Sequence, residues 1–199
     1  MEGTIKDYSQ LGEQEIILKY FKDFKGVFLD IGANDGMTFS NTFALALMGW
    51  KGVCVEPNVN AFERLNKLYD TSEIECLNYC IGKESKEVDF FVGSDALVSS
   101  VIESETTKWL PNGVTFEKVK SKMITFAELL NKTQYNKFDF ISIDVEGIDF
   151  DILSQINLTE VKMICVEVNE RDKIKYIEYC KKYKMKLIFD NNLNLIFTK

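Results

Sequence analysis

An α/β fold, with a mostly parallel sheet covered by helices on both faces and an antiparallel hairpin near the C-terminus, is predicted by three features of the sequence. Short apolar runs rich in β-branched residues (VFLDI, VCVE, FDFISID, KMICVEV) recur along the chain, separated by segments of helical spacing. The runs are continuous rather than alternating, as strands buried on both faces are. Four of them end in carboxylates, namely Asp30, Glu56, Asp144 with Glu146, and Glu167, which sets a row of acids on the rim where open parallel sheets bind ligands.

Residues 1–25 read as a helical lead-in and residues 27–31 as the first buried strand. GANDGMTFS is then a glycine-containing turn; Ser40 or Asn41 caps a helix with Phe43, Ala44, Leu47 and Met48 on one face, and Gly49 ends it. Residues 53–56 form the second strand, and Asn58 caps a helix carrying Phe62, Leu65, Leu68 and Tyr69 at three- and four-residue steps. A third strand covers 74–81 and a shorter one 88–92. Periodicity fails over 93–123, a Ser/Thr-rich stretch around WLPNG, and a loop of that length reads as a lid or substrate loop. Thr125 and Glu128 have capping-box spacing at the head of the next helix. Strand 138–144, helix 149–156 and strand 162–168 follow, then a helix over 170–183 with Ile174, Ile177 and Cys180 inward. Residues 186–189 and 193–197 close the chain as a hairpin around DNN. There is no repeat and no linker, so 1–199 reads as one domain.

The composition excludes whole classes of chemistry. The chain has 199 residues, no histidine and a net charge of −7, with 31 acidic against 24 basic side chains. Scattered lysines in an acidic chain argue against a protein that grips a nucleic-acid backbone, and no nucleic-acid partner is expected. Imidazole-based nucleophile activation and histidine zinc sites are ruled out. The five cysteines are odd in number, form no C-x-x-C and lie mostly in apolar runs, so they read as buried reduced thiols. The longest apolar stretch, FALALMGW, is far short of the ~18 residues of a membrane span. With no basic or apolar leader at the N-terminus, a cytoplasmic protein is expected.

The first turn indicates the ligand. Asp30-Ile31-Gly32-Ala33-Asn34-Asp35-Gly36 spaces its glycines as G-x-x-x-G, unlike the G-x-G-x-x-G of a dinucleotide site. It also carries one carboxylate before the turn and another inside it. Two such charges would repel a pyrophosphate by on the order of a few kcal/mol, and would attract an ammonium and a sulfonium. S-adenosyl-L-methionine has both. Glu56, 24 residues beyond Gly32, ends the second strand, where a carboxylate can accept both ribose hydroxyl protons.

FLDIGANDGMTFSNTFAL, VCVEPN, LNYCIG and FISIDVEGIDFDIL, in that order and preceded by YSQLGEQEIILKYF, resemble the FkbM-type S-adenosylmethionine-dependent methyltransferases over about Tyr8 to Val168. The most specific elements are D-x-G-A-N-x-G and I-D-V-E-G. The resemblance implies a Rossmann-like class I methyltransferase fold and methyl transfer to a hydroxyl of a sugar, glycan or small natural product. It also implies that Asp30, Gly32, Asn34 and Gly36 hold the methionine part of the cofactor, that Glu56 takes the ribose, and that Cys80 and Ile81 line the adenine. Asp144 and Glu146 fall in its second acidic motif, beside the methyl group and the acceptor.

Without histidine, Asp144 or Glu146 is the candidate proton acceptor, with a pKa raised by neighbouring carboxylates and partial burial. The plainer alternative is that the two favour the N-terminus of the helix that follows. A magnesium or calcium ion on the same acids is a variant. Ser99, Ser100 and Trp109 in the long loop are candidate substrate contacts, with Trp109 able to stack on a sugar face or to pack on its own domain. Arg171 could grip an acidic acceptor or pair with Glu167 or Glu170. Two rival functions use the same features: a metal-dependent nucleotide-sugar glycosyltransferase, and a non-catalytic Rossmann-like binding module.

Overall fold

A computed structural model describes residues 6–70, 72–168 and 172–199. Helix α1 (Glu13–Phe21) precedes β1 (Val27–Ile31), α2 (Phe43–Leu47), β2 (Lys51–Val55), α3 (Val59–Leu68) and β3 (Ile74–Leu77). Then come β4 (Cys80–Ile81), β5 (Lys86–Gly93), a short helix α4 (Glu103–Thr106) flanked by single 3-10 turns, and β6 (Phe116–Ile124). The chain closes with α5 (Phe126–Leu130), β7 (Phe140–Ile143), α6 (Asp149–Leu153), β8 (Met163–Glu167), α7 (Ile174–Lys182), β9 (Lys186–Asp190) and β10 (Asn194–Thr198).

Seven strands form one sheet in the order β3-β2-β1-β7-β8-β10-β9. The first five are parallel, and β10 runs antiparallel to both its neighbours. From β1 the chain winds outward to β3 and later resumes on the other side at β7, so strand order reverses between β1 and β7. At such a switch point the connections leave in opposite directions and open a crevice.

Both faces of the sheet are apolar, for the reason the continuous runs suggest. Leu29, Ile31, Val53, Ile141, Ile143 and Ile164 pack with Leu129 of α5, Leu153 of α6 and Cys180 of α7. On the opposite face Phe28, Cys54, Phe140 and Cys165 meet Ile17 and Phe21 of α1, Leu45 of α2 and Leu65 of α3. All five cysteines are free; four are buried and Cys76 is half-buried.

Several expectations are corrected. The strand expected at 74–81 is two: Asn78 turns its amide onto the carbonyls of Glu56 (2.7 Å) and Pro57 (3.1 Å), ending β3, and Cys80–Ile81 joins a separate sheet β4-β6-β5. The last eight residues of the supposed loop 93–123 belong to strand β6, paired antiparallel along all of β5. The inward stripe of α7 is Tyr176 and Cys180; Ile174 is 65% and Ile177 37% exposed. Tyr176 holds that phase by packing edge-on to Phe150, with ring centroids 5.1 Å apart. The N-cap of α2 is Thr42 and not Ser40 or Asn41; Ser40 Oγ, two residues earlier, accepts from Thr42 N (3.2 Å) and Phe43 N (3.0 Å). At α5 half of the capping box forms, with Thr125 Oγ1 accepting from Glu128 N (3.2 Å), while the Glu128 carboxylate takes the Ser85 hydroxyl.

Candidate active site

The turn after β1 is shaped by what lies against it. Gly32 has φ +89°, and a Cβ there would fall 1.7 Å from the carbonyl oxygen of Asp144, so β1 and β7 approach too closely for any side chain. Gly32 and Ala33 donate their N–H groups to Val55 O (2.9 and 3.1 Å), and Asp144 N donates to Ile31 O (2.9 Å). Gly36, φ +81°, faces away from the crevice, with Leu65 of α3 leaving no room for a Cβ.

Two acids beside this turn, Asp30 before it and Glu56 after β2, are buried. Asp30 accepts a hydrogen bond from Thr42 Oγ1 (2.6 Å), and burial still pushes its carboxyl up to about 6. Glu56 accepts from Asn34 N and Asn58 N, both at 2.8 Å. Burial outweighs those donors and raises Glu56 to about 7.

The second acidic segment leaves β7 through Asp144, Val145, Glu146 and Gly147. Asp149 at the head of α6 accepts from Val145 N (2.9 Å) and Gly147 N (3.1 Å), closing the segment into a tight loop. Glu146 is left-handed there, φ +54°, which costs a non-glycine residue roughly 1–2 kcal/mol. Asp144 is held well above the usual carboxylate range by burial first, and then by the charges of Glu146 and Asp149. Asp144, Glu146 and Glu167 each bring a ligand atom within 4.8 Å of the others. This oxygen-only set is chemically suited to magnesium or calcium, although acidic groups cluster in this way without an ion too.

These pieces surround one cavity of about 300 Å³, within the range of small-molecule sites. Of the residues expected from sequence, Asp30, Gly32, Asn34, Glu56, Cys80 and Ile81 line it. Asp144, Glu146, Ser99 and Trp109 line it as well. Gly36 does not, since it packs against α3, and neither does Ser100, which is buried with its hydroxyl on the backbone of Glu146 (2.7 Å). Arg171 lies outside the described residues. Sequence reading missed Gln10, Phe39, Asn41, Tyr79 and Ser142 in the lining. Phe39 had a readable signal, an apolar aromatic in a polar turn; it is 49% exposed and left-handed, φ +54°.

Asn41 Nδ2 donates to Ser142 Oγ (3.2 Å) and Cys165 Sγ (3.6 Å), which leaves its Oδ1 buried without a hydrogen-bond partner. Asn34 Oδ1 is in the same position. An unsatisfied buried acceptor costs about 1–3 kcal/mol, so two of them beside buried carboxylates fit a ligand rich in N–H and O–H donors. S-adenosylmethionine, with an ammonium, an adenine amine and two ribose hydroxyls, fits that requirement.

The strand order, with an antiparallel strand set between β8 and β9 and the crevice at β1 and β7, defines a Rossmann-like methyltransferase fold of class I. The family model described as the methyltransferase FkbM domain matches residues 30–184, and the chain belongs to that family. Among solved structures it is similar to methyltransferase FkbM from Methylobacillus flagellatus KT, with a TM-score of 0.56 and 11% identity, covering 88% of this chain and 44% of that one. It is also similar to the METTL16 MTase domain (TM-score 0.52, 10% identity, 92% and 63% covered) and to WbdD (TM-score 0.51, 11% identity, 96% and 40% covered). The chain thus spans less than half the length of the Methylobacillus protein. No curated protein matches it. Among the described residues no helix is long and apolar enough to cross a membrane.

Proposed function

We propose that the protein is an S-adenosylmethionine-dependent O-methyltransferase whose acceptor is a hydroxyl of a sugar, glycan or small natural product. The carrying observation is the cavity at the β1/β7 switch point, where Asn34 Oδ1 and Asn41 Oδ1 lack partners beside Asp30 and Glu56. In this reading Asp30, Gly32 and Asn34 hold the methionine part, Glu56 the ribose, and Cys80 and Ile81 the adenine. The cofactor supplies an electrophilic methyl group on a sulfonium. Asp144 or Glu146 takes the proton that the acceptor hydroxyl must lose, and burial with the neighbouring charges of Glu146 and Asp149 makes Asp144 a stronger proton acceptor than an ordinary carboxylate. Holding the reactants in line in a closed site can lower the barrier by roughly 7–11 kcal/mol, so positioning is the main contribution of the fold. Trp109 and Ser99 line the cavity, and in this reading they meet the acceptor with an aromatic surface and a hydroxyl suited to a sugar. The net charge of −7 favours such acceptors over nucleic acid, and five free thiols favour a reducing, cytoplasmic setting.

Thermal unfolding tests the cofactor. S-adenosylhomocysteine without metal is expected to raise Tm in a concentration-dependent way. A rise given only by a nucleoside diphosphate with manganese would overturn the reading in favour of a glycosyltransferase.

The buried acids add a pH dependence whose sign is set by their raised values. Asp30 and Glu56 titrate at about 6 and 7 in the folded chain, against ordinary values of 3.8 and 4.5. The folded state therefore binds more protons than the unfolded state between about pH 4 and 7. For these two groups, stability of the ligand-free protein falls as pH rises through that window. Ribose hydroxyls favour ionised Glu56, so S-adenosylhomocysteine should bind roughly tenfold more tightly at pH 8 than at pH 6, with net proton release. Calorimetry in buffers of different ionisation enthalpy would measure both; an affinity flat across that range would remove Glu56 from the ligand contacts.

A further inference from the structure

We infer that Ser100 is a positioning residue that fixes Glu146 and ties the segment over the cavity to that acid. The inference builds on the reading of Glu146 as part of the methyl-transfer site. Ser100 is 1% exposed, and its Oγ donates to the Glu146 carbonyl (2.7 Å) while accepting from Ile102 N (3.0 Å). Its own N–H and C=O pair with Phe91 of β5 (3.1 and 2.8 Å), which anchors the segment to the smaller sheet.

The loop carrying Glu146 is therefore gripped from two directions. Asp149 holds Val145 and Gly147 from the side of α6, and Ser100 holds Glu146 from the side of the covering segment. The residue between these grips has the left-handed backbone, φ +54°, so the direction of its carboxylate depends on both. Gly147, φ +137°, explains how the two parts come so close: a Cβ there would lie 2.9 Å from Ile102 Cδ1 and 3.3 Å from Glu105 Cγ. The face of the covering segment toward the cavity is made by Leu97, Val98, Ser99, Val101 and Trp109. An acceptor pressing on that face moves the same backbone that carries Ser100, and through one hydroxyl it sets the acid. A buried serine that only filled its own hydrogen-bonding need would have no such effect, because the bridge to Phe91 holds the segment without the hydroxyl.

Amide hydrogen exchange on the full chain, with and without S-adenosylhomocysteine, tests this directly. In Ser100→Ala, exchange across 144–149 is expected to rise about tenfold or more while β1 and β8 keep their protection. Ser100→Thr, which retains the hydroxyl, should restore protection to within about threefold. Unchanged exchange at 144–149, or a rise spread evenly over β1 and β8, would overturn the inference. With S-adenosylmethionine and a panel of methyl glycosides as probe acceptors, Ser100→Ala should lower kcat about tenfold or more and leave the cofactor KM within about twofold. A loosened 144–149 loop with kcat untouched would also overturn it. Glu146→Gln separates the two ideas: full activity in that variant ends the role of Glu146 as an acid, while the exchange data still decide whether Ser100 holds its loop.

Discussion

Gly32→Ala is expected to lower the stability of the protein by at least about 3 kcal/mol and to abolish S-adenosylhomocysteine binding. Two independent terms add. Alanine at φ +89° carries the left-handed penalty of roughly 1–2 kcal/mol. The new methyl group would sit 1.7 Å from a backbone oxygen, that of Asp144, which cannot swing away as a flexible side chain can. Relief requires β1 and β7 to separate at their carboxyl ends, stretching the 2.9 Å bond from Asp144 N to Ile31 O. Urea denaturation would register the loss as a lower midpoint. A variant with an unchanged midpoint would mean that the turn is not pressed against β7.

Asp144→Asn should behave in the opposite way, losing activity without losing the fold. A general base contributes typically 10²–10⁴-fold, and an amide of the same shape cannot take the proton, so kcat is expected to fall by about that factor. Binding of S-adenosylhomocysteine should persist. Stability at pH 7 should hold or increase, because the folded state raises the pKa of Asp144 and so disfavours the ionised form that the substitution removes. Initial rates, calorimetry and thermal unfolding on one preparation would measure all three. Retained turnover here, with loss in Glu146→Gln, would assign the proton to Glu146; retained turnover in both would leave catalysis to positioning alone.

The large sheet was legible because its strands are buried twice over. In VFLDI apolar side chains serve both faces, Phe28 one and Leu29 and Ile31 the other, with Asp30 near the carboxyl end as the one polar member, so the run announces itself without periodicity. Strand β6 was hidden by the reverse condition. Lys118, Lys120 and Lys122 alternate with Val119, Ser121 and Met123 over a sheet of only three strands, and a hydropathy pattern diluted by lysine reads as loop. The break between β3 and β4 has no local signal, because it depends on Asn78 reaching the carbonyls of Glu56 and Pro57 in another strand's loop. The same division runs through the candidate site. Acids at strand ends are visible from strand positions alone, and Asp30, Glu56, Asp144 and Glu146 do meet in one cavity. Asn41 was invisible as a site residue, since its orientation is set by Ser142 and Cys165, which lie 101 and 124 residues away along the chain. Ser100, read from the sequence as a contact of cofactor or acceptor, turns its hydroxyl onto the Glu146 backbone instead of lining the cavity, because sequence does not say which side of a covering segment faces inward.

The order in which the sheet is filled bears on how the protein is made. Strand β10 is wholly buried between β8 and β9, yet it follows both in the chain. While the polypeptide is emerging from the ribosome, β8 therefore has an open edge, and β9 has been synthesised before the strand it will pair with exists. An apolar parallel strand with free backbone groups is a template for pairing with other chains, so nascent protein halted before residue 194 should be the form most prone to aggregate and most dependent on chaperones. Once β10 slides into place, a single event satisfies both edges, and the late strand acts as the lock on everything synthesised before it.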